Sequence, residues 1–511
     1  MNQKTPDLTD RTARIRNAFN PQHLETLGHR LVDLLTAHLK SVQASEGSVL
    51  NWHAPPENIA RAGAILDAAP AVADVSSSVL CGRFEQLVKE MLSRGHNLHD
   101  PHYIGHQVPA PVPIAGWFDA VGSVTNQVMA IYEMGPWATA VERALVERLG
   151  ELVGWQRDEF AGFVTHGGSL ANLTGLLTAR NVAIGDAWER GLSDRSSPVL
   201  IVQQDAHYSV ARAAGIIGIG TGNVVRAALN ARRQMDPEKL NEQVVTLRAA
   251  NRPIIAVAAS ACATPIGAFD PLADIADVCR RHDVWLHVDA AHGGAACFSR
   301  KYRHLLHGVE QADSLVWDAH KMMFVPALCA FVFYKDKRHR FEAFRQDAPY
   351  LFDPSAPGMA DYDSGMLTPE CTKRAAAYGL WGTWSLFGPS LFEDLVDATF
   401  DLTRTFYELL IEASDFEPLH EPECNILAFR HVPESMQHAP EAEVSMFLYQ
   451  LRRELIQSGE FYIVQTKLDG QQALRVTVMN PLTTREDLVA LMDSIRRIGR
   501  RLGDSGAMSP R

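Results

Sequence analysis

The chain has 511 residues, 46% of them hydrophobic and 21% charged, a length that calls for two or three lobes rather than one core. Its 48 lysines and arginines against 60 aspartates and glutamates, a net charge of −12, speak against a nucleic-acid partner, because phosphate binding rests on clustered basic side chains. Residues 1–10 lack the apolar core of a signal peptide, no run is apolar enough to cross a bilayer, and the seven cysteines stand singly. The expectation is therefore a cytoplasmic protein with reduced thiols, no membrane contact and no metal site.

Asn20-Pro21 reads as a helix N-cap followed by proline at the first helical position. Leu24, Leu27, Leu31, Leu34, Leu35 and Leu39 then recur at helical spacing, predicting an amphipathic helix over 21–41 whose leucine stripe must be covered by its own subunit or by a partner. Irregular structure is expected from there toward Pro101, and residues 1–110 form an N-terminal arm. From 111 to 389, short apolar runs at 199–202, 253–258, 284–288, 315–317 and 327–334 alternate with helical patterns such as 271–281. That rhythm predicts an α/β lobe with a mostly parallel central sheet and helices on both faces. Residues 390–511 read as a small α+β lobe with a disordered tail from 503. Its hairpin turns at Leu468-Asp469-Gly470, and a capping box at Thr483-Thr484-Arg485-Glu486 opens a last helix.

Chemistry concentrates where the apolar runs end. The run at 284–288 stops at Asp289 in His287-Val288-Asp289-Ala290-Ala291, and the run at 315–317 stops just before Asp318-Ala319-His320-Lys321. In α/β proteins ligands bind beyond the carboxyl ends of the strands. A carboxylate and an amine at neighbouring strand ends suit a cofactor with a nitrogen to be paired and a carbonyl to condense with an amine, and pyridoxal 5′-phosphate has both. Strand-end lysines and aspartates are ordinarily surface or capping residues, so neither carries the assignment alone. Gly167-Gly168-Ser169, between an apolar run and a leucine-bearing helix, has the form of a phosphate cradle. His207 follows the strand at 199–202, where an imidazole can stack on a ring or move protons. No GxGxxG, Walker lysine, HExxH or GxSxG appears, which sets aside nucleotide, zinc-protease and serine-nucleophile chemistry.

Taken in order, His-Val-Asp-Ala-Ala, His-Lys, Ala-His-x-Ser-Val and Gly-Ala-Phe-Asp-Pro-Leu resemble the group II pyridoxal-phosphate-dependent amino-acid decarboxylases, the group of the glutamate, cysteine-sulfinate, diaminobutyrate and aromatic-amino-acid enzymes. The resemblance spans about residues 100–502. It implies a fold type I homodimer with its active site at the subunit interface. It also implies Lys321 as the Schiff-base lysine, Asp289 as partner of the pyridine nitrogen, and His207 and Ala291 on the two ring faces. Gly168, Ser169 and His320 fall on phosphate-contacting positions and Thr264 on a threonine near the cofactor. Arg475, with His106 in the segment His102-Tyr103-Ile104-Gly105-His106-Gln107, falls on the substrate side.

The implied reaction is loss of the α-carboxylate of an L-amino acid as carbon dioxide, leaving the amine. An acidic substrate (glutamate, aspartate or cysteine sulfinate) is favoured. 2,4-Diaminobutyrate or an aromatic amino acid is the alternative, as is oxidative deamination to an aldehyde. That last alternative arises because the family's loop tyrosine falls near Gly358, leaving Tyr362 as the nearest candidate acid. Asp318 is a second departure: the animal enzymes usually carry asparagine there, and a carboxylate near a phosphate needs a compensating donor.

Overall fold

The computed structural model describes residues 8–69, 76–192, 197–344 and 359–504. Its centre is a seven-stranded sheet. The strands are β1 (Ala161–Thr165), β2 (Val199–Gln203), β3 (Val224–Ala227), β4 (Ile254–Ser260), β5 (Trp285–Asp289), β6 (Ser314–Asp318) and β7 (Ala330–Tyr334), in the spatial order β1-β7-β6-β5-β4-β2-β3. All are parallel except β7, which runs antiparallel to both its neighbours.

Alternate side chains explain why these strands read as unbroken apolar runs. Ile201, Val257, Leu286, Leu315 and Phe331 enter one core, with Leu145, Leu240 and Ile275 from helices covering that face. Leu200, Ala256, Val316 and Val332 enter a second core under the helices Gly168–Ala183 and Tyr208–Ile216. A sheet buried on both faces has no polar side to betray its period of two.

The C-terminal segment forms a separate four-stranded antiparallel sheet with its own core, closed by helices Ser390–Glu412, Glu441–Ser458 and Arg485–Asp504. The predicted hairpin joins Val464–Leu468 to Gln471–Thr477 through Asp469-Gly470, both at positive φ, as a two-residue loop matching strand twist requires. The last helix is capped one residue later than expected: Thr484 Oγ1 accepts from Asp487 N at 3.2 Å and Asp487 Oδ2 accepts from Thr484 N at 2.8 Å, so Asp487 and not Glu486 closes the box.

The N-terminal region departs further from expectation. The first long helix runs Pro21–Gln43, and Asn20 Oδ1 accepts from Gln22 N at 3.0 Å as its cap. The segment read as irregular contains two helices, Pro55–Asp67 and Ser77–Ser93. Prolines at 55 and 56 open the first of them, where a missing N–H costs nothing, so the feature that reads as a breaker is a start signal. Ion pairs of Arg30 with Glu85 and of Arg61 with Glu90 tie these helices together. The leucine stripe finds little cover in its own chain, since Val42 is the one buried residue of the first long helix.

Candidate active site

β1, β2, β5 and β6 all end at the same edge of the sheet, so the residues that follow them converge. They enclose a cavity of about 290 Å³. Lys321, Asp289, His207, Gly168, Ser169, Thr264, Ala291 and His320 all line it, although they are drawn from loops after four different strands and from the 261–264 turn. A larger depression of about 960 Å³ lies at the opposite, amino-terminal edge around Ile254, Trp285 and Asp313. It carries none of these groups, and the carboxyl edge is where parallel sheets bind ligands.

Asp289 is 8% exposed and held from two sides: Ala291 N donates to Oδ1 at 3.1 Å and Asn172 Nδ2 to Oδ2 at 2.9 Å. Asn172 organises the whole wall. Its Nδ2 also donates to Ser209 Oγ at 3.1 Å, so its Oδ1 accepts from His287 Nε2 at 2.8 Å. Ser209 Oγ in turn donates to His207 Nδ1 at 2.7 Å, which leaves the proton of neutral His207 on Nε2. Burial pushes the His207 imidazole below its usual range, opposed in part by the Asp289 charge. Asn172 was invisible to sequence reading. Its one signal is its place one helical turn beyond Gly168-Ser169 on the buried side of the same helix.

His287 lies behind this wall, fully buried, with Nδ1 accepting from Ser314 Oγ at 2.8 Å. Burial lowers its pKa from 6.5 to about 4. The folded chain thus favours neutral His287, and the difference from the unfolded chain is nil above pH 6.5 and grows as the pH falls toward 4. We expect unfolding free energy to decline through that window by on the order of 2 kcal/mol from this residue. Urea unfolding of wild type and His287→Gln checks it; equal slopes against pH in the two proteins would contradict it.

At the other end of the cavity Lys321 Nζ lies 3.3 Å from Asp318 Oδ2, and His320 Nε2 lies 3.6 Å from the same oxygen. Lys321 is thus the compensating positive charge that Asp318 requires. Asp318 Oδ1 is buried without a hydrogen-bond partner among the described residues. Gly168 opens a helix directly against this carboxylate, and a Cβ there would meet both Asp318 oxygens at 2.7 and 2.8 Å. Backbone donors at a helix start, a glycine that clears the approach, an amine and a carboxylate across the cavity fit a flat pyridine bearing an aldehyde and a phosphate.

Three expected site residues stand elsewhere. Arg475 is 7% exposed in the hairpin strand; Nη1 donates to Thr264 O at 2.9 Å, and it meets no carboxylate among the described residues. Burial lowers it to about 10. His106 keeps an exposed edge with its ring 5.7 Å from that of Tyr462, and packing around it, then the Arg475 charge, pushes its pKa down. Neither lines the cavity, although Gln107 does. Tyr362 is not brought to this cavity: it is 47% exposed, its ring 5.9 Å from that of Tyr132 and under Arg143. The reason is local, because the short turn Met359–Tyr362 is tied to its own subunit through Asp361 and Arg340. Gly358 and the loop before it lie outside the described residues.

The chain is similar to known proteins of one family. A family model described as the pyridoxal-dependent decarboxylase conserved domain matches residues 65–432. The acidic amino acid decarboxylase GADL1 of Mus musculus is 34% identical over 382 residues, covering 73% of this chain and 69% of that protein. Its Homo sapiens counterpart is 33% identical, covering 73% of each. The crystal structure of mouse CSAD superposes with a TM-score of 0.85 at 27% identity, over 94% of this chain and 99% of that one.

Proposed function

The chain belongs to the pyridoxal-dependent decarboxylase family, and from that premise we propose that it decarboxylates an L-amino acid with an acidic side chain. Pyridoxal 5′-phosphate, when bound, supplies the aldehyde that engages the substrate amine and the ring that accepts the electrons as carbon dioxide leaves. The acidic choice rests above all on Arg475, a buried guanidinium beside Thr264 with no carboxylate partner among the described residues. A buried cation is costly to leave unpaired, and a substrate carboxylate would satisfy it. Relatives named for acidic amino acids support the same reading.

In this proposal each residue has one task. Lys321, the lysine lining the cavity, would hold the cofactor through its aldehyde. Asp289, fixed in place by Asn172 and Ala291 N, would hold the ring nitrogen's proton. His207 and Ala291, which line the cavity, would flank the ring, and His207 carries its proton on Nε2, facing away from Ser209. Gly168, Ser169 and His320 would take the phosphate end and Thr264 would stand beside the ring; Arg475, which adjoins the cavity only through its bond to Thr264 O, would with His106 receive the substrate side chain. Tyr362 keeps the role of proton donor only if it serves the site of a second copy.

We further propose a homodimer, supported by exposed apolar residues in and between the amino-terminal helices: Phe19 is 84% exposed and Leu66 75%. Sedimentation of the purified protein tests this. Lobes at 1–110, 111–389 and 390–511 and a cytoplasmic location complete the proposal; free thiols at all seven cysteines support the latter.

The deciding experiment measures carbon dioxide, amine and aldehyde together from the cofactor-loaded protein over a panel of L-amino acids. Stoichiometric amine from glutamate, aspartate or cysteine sulfinate supports the proposal, and preference for diaminobutyrate or aromatic substrates, or aldehyde with oxygen uptake, rejects it. Arg475→Ala is expected to raise KM for the acidic substrate by roughly 10- to 100-fold, the scale of a lost hydrogen bond between charged groups. Equal losses on acidic and neutral substrates would make Arg475 structural.

A further inference from the structure

In the wall of the cofactor cavity and just behind it the fold gathers three groups that this chemistry does not use. Cys262 comes from the turn after β4, His292 from the turn after β5, and Cys424 from the loop between the first two strands of the small sheet, Phe416–Pro418 and Ile426–His431. Both sulfurs and one imidazole nitrogen lie within 4.8 Å of one another, and all three residues are buried. We propose that Cys262, Cys424 and His292 form a binding site for one divalent cation of the zinc class, its open position on the side of the cavity that Cys262 and His292 line. The inference rests on the fold and stands whether or not the acidic substrate is correct.

Three observations carry it. The sulfurs are 3.7 Å apart. Two thiolates on one tetrahedral zinc, each bonded at about 2.3 Å, stand roughly 3.8 Å apart, so little has to move. A disulfide would instead require them to close to about 2.05 Å. Second, the tautomer of His292 is determined by its neighbour. Asn425 Nδ2 donates to Val478 O at 2.9 Å, so Asn425 Oδ1 is the acceptor and takes the proton of His292 Nε2 at 2.7 Å. Nδ1 is then a bare lone pair, and it is buried without a hydrogen-bond partner among the described residues. An imidazole whose second nitrogen is anchored to an amide oxygen is the usual arrangement of a metal-bound histidine. Third, the Arg475 guanidinium, which meets no carboxylate among the described residues, is a nearby positive charge for the two sulfurs, although burial by itself pushes the Cys262 thiol up, so the ion itself has to drive loss of its proton. Two thiolates balance a divalent ion, so the site is neutral when filled and its neighbours Arg475 and Lys321 are not opposed. Each thiol that binds releases its proton to solvent, and no oxidation is involved.

The test is titration of Co²⁺ into reduced, metal-stripped holoenzyme, reading the d–d bands of tetrahedral thiolate-bound cobalt beyond the cofactor's own absorbance. We expect one Co²⁺ per chain, displaced by Zn²⁺, and a rise in apparent Tm, because the ion joins three segments of the cavity wall. Cys262→Ser and Cys424→Ser should each weaken binding at least tenfold, while Cys371→Ser, at an exposed thiol, should not change it. Should the serine variants misfold, judged by lost cofactor absorbance, His292→Gln provides the same reading with both thiols kept. Octahedral cobalt spectra, equal affinity in wild type and variants, or oxidation of the two thiols to a disulfide with no metal taken up would each overturn the proposal.

Discussion

Lys321→Ala is expected to abolish the visible absorbance that the holoprotein owes to its lysine-linked cofactor, and with it decarboxylation. Nζ is the one primary amine lining the cavity among the described residues, so no neighbour can replace it as the point of attachment. The substitution has a second consequence. Asp318 is 2% exposed, and Lys321 Nζ at 3.3 Å is its nearest cation. Removing one partner of a buried ion pair costs about 3–5 kcal/mol, so alanine is expected to lower stability as well. Lys321→Arg separates the two effects, since it keeps a positive charge beside Asp318 but condenses poorly with an aldehyde. Wild-type stability without absorbance in the arginine variant supports the attachment role. Retained absorbance in both variants would refute it.

Asp289→Asn is expected to leave the fold and cofactor uptake intact and to slow decarboxylation about a hundredfold or more, the scale of removing one preorganised electrostatic partner. The replacement has the same shape, and one oxygen still accepts from Ala291 N. Its amide nitrogen, however, meets the Asn172 Nδ2 donor that Asp289 Oδ2 now receives at 2.9 Å, and it has no negative charge with which to hold a ring proton. Single-turnover carbon dioxide release, measured beside cofactor absorbance, distinguishes a chemical defect from a binding one. Rates near wild type would remove Asp289 from the reaction.

Much of this site was legible because strand ends are. Asp289, His320 and Lys321 follow apolar runs that end where a doubly buried sheet must end, and Gly168-Ser169 stand at a strand-to-helix turn. Local pattern was also sufficient for the hairpin at Asp469-Gly470 and for the cap at Asn20. It failed at Pro55-Pro56, where the same residue type ends structure in one context and opens a helix in another.

What local pattern determined, then, is the list of chemical groups and the edge of the sheet to which each is delivered, because those depend on residues a few positions apart. Tertiary structure alone decided the rest. Asn172 became the hinge of the wall only when its helix packed over β5, joining Asp289, His207 and His287 in one hydrogen-bond chain. Cys262 and Cys424, single in the sequence, met only when the small sheet docked against the turn after β4. Arg475 acquired its place beside Thr264 in the same way, and Tyr362 was held away from the cavity by Arg340 and its neighbours. Contacts between residues hundreds of positions apart arise from the packing of whole elements, and no periodicity within either segment records them.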